Sequence, residues 1–154
     1  MNHRSWYYDY VLSVESENIF SGYEDGSFRP DNNITRAEFT VAICKAFAIA
    51  QNSKSSKSKM SDVNEHWSKA YVDALVKTKY ITGYEDGTFK PDNYITRAEA
   101  IVILNRALGR SVNEEKMKSI SIGNPFTDIK RSHWAYYNIV EAVEDHYANE
   151  WHKK

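Results

Sequence analysis

Residues 22–38 read GYEDGSFRPDNNITRAE and residues 83–99 read GYEDGTFKPDNYITRAE, a self-match at an offset of 61 residues. Three positions differ, Ser27/Thr88, Arg29/Lys90 and Asn33/Tyr94, and the first two exchanges are conservative. The register continues upstream without a gap, pairing Trp6 with Trp67, Tyr10 with Tyr71 and Val11 with Val72. Such a period confines the fold to repeated supersecondary units that bury their apolar faces on one another. A third start follows. Met60-Ser61-Asp62-Val63 ahead of His66-Trp67 matches Phe126-Thr127-Asp128-Ile129 ahead of His133-Trp134. No further glycine loop or TRAE comes after it, and the first copy opens almost on its Trp. The chain is therefore expected to be cut from a longer one at its N-terminus.

Each complete copy reads as helix, loop, helix, which makes the fold all-α. Over 67–78, Trp67, Tyr71, Ala74, Leu75 and Thr78 share one face at 3- and 4-residue spacing. Over 36–50, Phe39, Ile43, Ala46, Phe47 and Ala50 do the same, and in copy two Ala100, Leu104, Ala107 and Leu108 follow. Gly22, Gly26 and Pro30, with Gly83, Gly87 and Pro91, mark a tight loop between the helices. The organisation expected is copy one at 1–50, N-terminally truncated, a linker at 51–61 and copy two at 62–110. A connector at 111–125 and a partial third copy at 126–154, first helix and tail, complete it. Within the linker, QNSKSSKSK at 51–59 predicts a mobile loop, and a short helix is expected near 113–118.

Composition removes several functions. Twenty basic against twenty-one acidic residues leave a net charge of -1, so no global field gathers nucleic acid. The second helices are nearly all apolar or small, which leaves no polar face for reading DNA. No run reaches the ~18 apolar residues of a membrane span, and residues 1–10 lack the profile of a secretion signal. The single Cys44 rules out an internal disulfide. His3, His66, His133, His146 and His152 show no metal spacing, and the Asp25-Gly26 and Asp86-Gly87 loops fail the calcium-loop pattern. No nucleophile–base pair emerges either. No metal, no cofactor and no catalysis are expected, and His66 and His133 are assigned to helix starts or packing.

Thr35-Arg36-Ala37-Glu38 and Thr96-Arg97-Ala98-Glu99 are capping boxes, in which each Thr hydroxyl and each Glu carboxylate close one end of a helix. Capping explains Thr35, Glu38, Thr96 and Glu99 fully. It does not explain the arginines, because a cation in the first turn opposes the helix dipole. Arg36 and Arg97 together with the free N–H groups there fit a carboxylate or phosphate, a salt bridge to a neighbouring acid being the alternative. Trp6, Trp67 and Trp134 recur at the start of each first helix, where core packing and a groove wall for a sugar ring are equally good readings. Tyr23 and Tyr84, beside the loop glycines, are similar candidates.

The GYEDG-[ST]-F-[RK]-PD…ITRAE loop and helix, preceded by a D-[VI]…HW helix, resembles the S-layer homology domain, over Trp6 to Leu108 nearly continuously. The resemblance implies a pseudo-threefold helical assembly that holds extracellular proteins to the bacterial cell wall or S-layer. The implied ligand is a secondary cell-wall polysaccharide ending in a pyruvylated amino sugar, bound in grooves between copies. It implies Arg36 and Arg97 as carboxylate binders, Trp67 and Trp134 as groove walls, and Gly22 and Gly83 as points of close sugar approach. On that reading, replacing both arginines abolishes binding while helicity persists. A protein–protein or self-assembly module is the alternative. The terminal helix from His133 would close the ring with a helix of a preceding copy, and with that copy cut away an apolar face is left open, so either a homo-oligomer or weakened cooperativity is expected.

Overall fold

A computed structural model of the chain describes residues 4–51, 58–110, 112 and 126–143. Five helices lie among the described residues: α1 (Tyr8–Ser16), α2 (Arg36–Ala46), α3 (Lys69–Lys77), α4 (Arg97–Ala107) and α5 (Tyr136–Val143). There is no strand among them, only an isolated antiparallel bridge between Thr35 and Tyr94. The fold is all-α. Most of the linker, the helix expected near 113–118 and the tail at 151–154 lie outside the described residues.

Two compact units divide the chain, Met1–Ile95 and Thr96–Lys154, and their boundary does not follow the repeat boundaries. In the first unit α2 packs on α3, and in the second α4 packs on α5. The second helix of one copy thus pairs with the first helix of the next. The same backbone contact marks both pairs. The Cys44 thiol donates to the Tyr71 carbonyl at 3.6 Å, and the Asn105 amide donates to the Asn138 carbonyl at 2.9 Å. Cys44 and Asn105 are repeat counterparts, and each acceptor lies four residues beyond its Trp. Around these bonds the first unit buries Val63, Val72, Leu75 and Phe89, while in the second Ala98, Ile101, Phe126 and Ile129 close over Val102, Ala135 and Ile139.

The helices are shorter than their apolar spacing suggests, and their buried faces are turned. In α2 the buried set is Ala37, Thr40, Ala42, Ile43 and Cys44 as well as Arg36, whereas Ala46 and Ala50 are exposed. In α4 it is Val102, Ile103 and Asn105, with Leu108 exposed. Both helices are apolar nearly all round, so periodicity alone cannot set which side faces inward. α2 ends where Ala48 adopts a φ of 49°, its N–H bonded to Lys45 and the next N–H, of Ile49, to Cys44. This is the left-handed terminator that usually calls for glycine, and the counterpart of Ala48 in copy two is Gly109, at φ 66°. Substituting Ala48→Gly is therefore expected to stabilise the first unit by about 1 kcal/mol. Urea denaturation would read this as a raised midpoint at unchanged slope, and a lowered midpoint would refute it.

Candidate functional site

Both capping boxes form as the sequence predicts. Thr35 Oγ1 accepts from the Glu38 N–H at 3.2 Å while the Thr35 N–H donates to Glu38 Oε2 at 2.7 Å, and Thr96 and Glu99 repeat the pattern at 3.2 and 2.9 Å. What differs between the two helices is the fate of the arginine beside the cap.

Arg36 is buried, 6% exposed, against the loop of copy two. Its Nε donates to the Phe89 carbonyl at 2.8 Å, and its guanidinium carbon lies 4.7 Å from the ring centres of both Tyr84 and Phe89. The backbone N–H groups of Arg36 and Ala37 donate to the carbonyls of Asn93 and Pro91 at 2.8 and 2.9 Å. Loop carbonyls thus take up the leading N–H groups of α2 and compensate the cation at its positive end. The leading N–H groups that the sequence offers to an anion at this helix start are bonded to the neighbouring copy's backbone. Removing Arg36 therefore removes packing as well as charge. Arg97, in the second unit, is exposed.

The glycines that open the loops serve the loops themselves. A Cβ at Gly22 would come within 2.8 Å of the Ser27 carbonyl oxygen, and one at Gly83 within 2.9 Å of the Thr88 carbonyl oxygen. Those carbonyls accept from the N–H groups of Tyr23 and Tyr84 at 2.7 and 2.8 Å, closing each turn. The loop acids Asp25 and Asp86 accept from Ser27 and Thr88, side chain and backbone alike, which holds both carboxyls below the usual carboxylate range. Arg29 then reaches back to Asp25 and covers the Tyr23 ring at 4.1 Å, as Lys90 covers Tyr84 at 4.4 Å.

A contact missed by the sequence reading secures the second loop. The Asp62 carboxylate accepts from the N–H groups of Phe89 and Lys90 at 2.8 and 2.7 Å, so the lead-in of copy two clips the loop of the same copy. The lead-in is visible as a repeated Asp-Val and Asp-Ile, but its backbone partners leave no trace in the residue pattern. The helix-start role expected for the histidines does appear. His66 Nδ1 accepts from the Ser68 N–H at 3.2 Å, and His133 Nδ1 from the Ala135 N–H at 3.2 Å. That acceptor role puts the proton of His66 on Nε2, which faces Asp92 at 3.2 Å.

The three tryptophans that recur with the copies are outside the core. Trp6 is 83% exposed, Trp67 61% and Trp134 63%. In the first unit, Trp67 borders a cleft of about 600 Å³ whose other walls come from α1, the copy-one loop and α2. Gly22, Tyr23, Phe28 and Pro30 line the loop side, Val11 and Val14 the α1 side, and Val41 and Lys45 the α2 side. Arg29, Asn32 and Asn33 add polar groups to this largely apolar lining. Of the candidate ligand residues, the cleft gathers Trp67, Gly22 and Tyr23. Arg36 and Tyr84 belong to the buried arginine contact instead, Gly83 to the closure of the copy-two loop, and Arg97 and Trp134 to the second unit. Glu38 is the one carboxylate of the lining, and its Oε2 is engaged by Thr35. Among the described residues, no group of three or more His, Cys, Asp or Glu is placed to hold a metal, and no helix is long and apolar enough to cross a membrane.

Tandem helical copies that meet loop against helix, with exposed aromatics at each copy's entry, define a repeat module. The family model described as the S-layer homology domain matches residues 2–40 and 59–101, and the chain belongs to that family. It is similar to "Cell surface glycoprotein 1" of Acetivibrio thermocellus, 36% identical over 145 residues, covering 88% of this chain and 6% of that protein. It is equally similar to the "Cellulosome-anchoring protein" of the same organism, 36% identical over 140 residues, covering 88% of this chain and 30% of the relative. A "Surface layer protein" of Brevibacillus choshinensis is 34% identical over 102 residues, covering 64% of this chain and 9% of its own length. The chain thus spans under a third of the length of these curated relatives.

Proposed function

We propose that the chain is a non-enzymatic anchor, holding a bacterial surface protein to the cell wall by binding an acidic secondary cell-wall polysaccharide. The observation that carries this reading is the cleft beside Trp67. An exposed indole faces a largely apolar wall containing Tyr23, with Lys45 and Arg29 at the same opening. Flat aromatic surface suits the apolar face of a sugar ring, and the cations suit a carboxylate such as that of a pyruvyl ketal. In the second unit, Arg97 and Trp134 are exposed and are candidates for a further contact with the polymer. Membership in the family and the surface-protein and anchoring names of its relatives favour the same role and an extracellular location at the cell wall.

Hydrolysis of the polymer is disfavoured by the chemistry of the cleft. Glycosidases work with two carboxyl groups roughly 5–9.5 Å apart, and the cleft lining offers only Glu38, already committed to its cap. The test is capture on purified wall polymer, native and chemically depyruvylated. Native polymer should retain the chain and depyruvylated polymer should not. Substituting Trp67→Ala should weaken capture about tenfold, roughly 1.4 kcal/mol, with the far-ultraviolet circular dichroism unchanged. Equal retention on both polymers would refute the carboxylate, and undiminished capture by W67A would refute the cleft.

A further inference from the structure

We propose that a second copy of this chain docks the N-terminus of its α4 onto the copy-one loop, repeating between chains the contact that Arg36 makes within one. The internal contact is fully specified. Arg36 lays its guanidinium on Tyr84 and Phe89 and donates from Nε to the Phe89 carbonyl, while the N–H groups of Arg36 and Ala37 meet the carbonyls of Asn93 and Pro91. A backbone bond from the Ile95 N–H to the Ile34 carbonyl, 3.3 Å, extends it.

Shifted by the repeat of 61, the donor side becomes Arg97 and Ala98, and the acceptor side becomes Tyr23, Phe28, Pro30 and Asn32. Both sides are present and available. Arg97 is exposed at the start of α4, and among the described residues neither its guanidinium nor the N–H groups of Arg97 and Ala98 have a hydrogen-bond partner. Tyr23, Phe28, Pro30 and Asn32 all line the open cleft of the first unit. Copy two fills the equivalent face with Arg36.

The rings and carbonyls that make the contact belong to the same residue types in both loops, Tyr23/Tyr84, Phe28/Phe89, Pro30/Pro91 and Asn32/Asn93. Of the three positions that differ, Ser27/Thr88 and Arg29/Lys90 contribute no atom to the internal contact, and Asn33/Tyr94 contributes through backbone. The residue types that face the arginine are therefore common to both sockets, and the resident one is held in addition by the Asp62 carboxylate. A second copy is the occupant favoured because it carries the exact complement, TRAE at the head of a capped helix. The two faces differ, so a single contact per chain is heterologous, while a reciprocal pair is isologous. Two reciprocal contacts would close a dimer, and one per chain would propagate.

Such docking covers Tyr23 and engages Arg97, so it competes with polymer for the same cleft, and the association is tested with polymer absent. In sedimentation velocity, the weight-average mass of the full chain should rise with concentration. Substituting Arg97→Ala on the donor side should weaken association about tenfold or more, the scale of one charge-assisted contact. Arg97→Lys, which keeps the charge but loses the planar stack, should recover only part of it. On the acceptor side, Tyr23→Lys removes a ring face and sets a second cation against the incoming guanidinium. At concentrations where the wild type associates, each of R97A and Y23K alone should remain monomeric, whereas their mixture, holding one intact donor and one intact acceptor, should form a heterodimer and nothing larger. Matching circular dichroism of all variants confirms that they are folded. A wild-type mass independent of concentration overturns the proposal, as does association undiminished in R97A or a mixture that associates no more than either variant alone.

Discussion

Replacing Arg36 by alanine is expected to lower the unfolding free energy of the Met1–Ile95 unit by about 3 kcal/mol. The substitution deletes a hydrogen bond from a charged donor to the buried Phe89 carbonyl and leaves a void between the Tyr84 and Phe89 rings. Arg97→Ala, at an exposed position, should change stability by less than about 0.5 kcal/mol. The contrast between two arginines in the same TRAE context is the sharp part. Cys44 supplies a readout local to the first unit, since it is 1% exposed and burial pushes its thiol up to about 11. The thiol stays protonated and inaccessible in the folded unit, so alkylation should wait on opening. Faster Cys44 alkylation in R36A than in R97A is the expected result, and equal rates would refute the structural role of Arg36. Arg36→Lys should recover part of the loss, because an ammonium can keep a bond to the carbonyl but cannot stack between the rings.

Asp62→Ala should have the next largest effect, about 2–3 kcal/mol. Two backbone N–H groups, of Phe89 and Lys90, lose a charged acceptor at once, and Phe89 is 1% exposed. The loss should concentrate in amide hydrogen exchange of the 83–95 loop, with Phe89 and Lys90 accelerated most. Asp62→Asn keeps one oxygen acceptor and should recover roughly half. Protection unchanged in D62A would show that the clip contributes nothing to the loop. The same register in copy one is Met1, which brings no carboxylate, and Phe28 is only partly buried. The two loops share a sequence but not a clamp, so their exchange rates should differ in the wild-type chain as well.

The parts of this structure legible in the sequence are those written in side-chain pattern. The 61-residue register carries through to the backbone: Asn18 and Lys79, Gly26 and Gly87, Arg29 and Lys90, Ala48 and Gly109 all take positive φ as pairs. Capping boxes announce themselves through Thr and Glu at fixed spacing, and both form. Trp at one place in each copy leaves burial and exposure equally open, because spacing does not distinguish the two; Trp6, Trp67 and Trp134 are all exposed, and Trp67 borders the cleft. The buried faces of α2 and α4 were illegible for the opposite reason, an excess of apolar residues on every side. Arg36 and Asp62 share a further obstacle. Their partners are peptide carbonyls and N–H groups, which every residue possesses, so no residue type signals them in advance.

The clip and the arginine contact also differ in when the growing chain can make them. Asp62 emerges before the loop it holds, so that loop can be secured as soon as its own N–H groups appear. Arg36 precedes the carbonyl it needs by 53 residues. At the ~5–20 residues per second of synthesis, α2 waits roughly 3–10 s for its acceptor. Copy one is thus completed from downstream, and a ribosome paused between the two loops would hold a helix whose guanidinium has yet to find its socket.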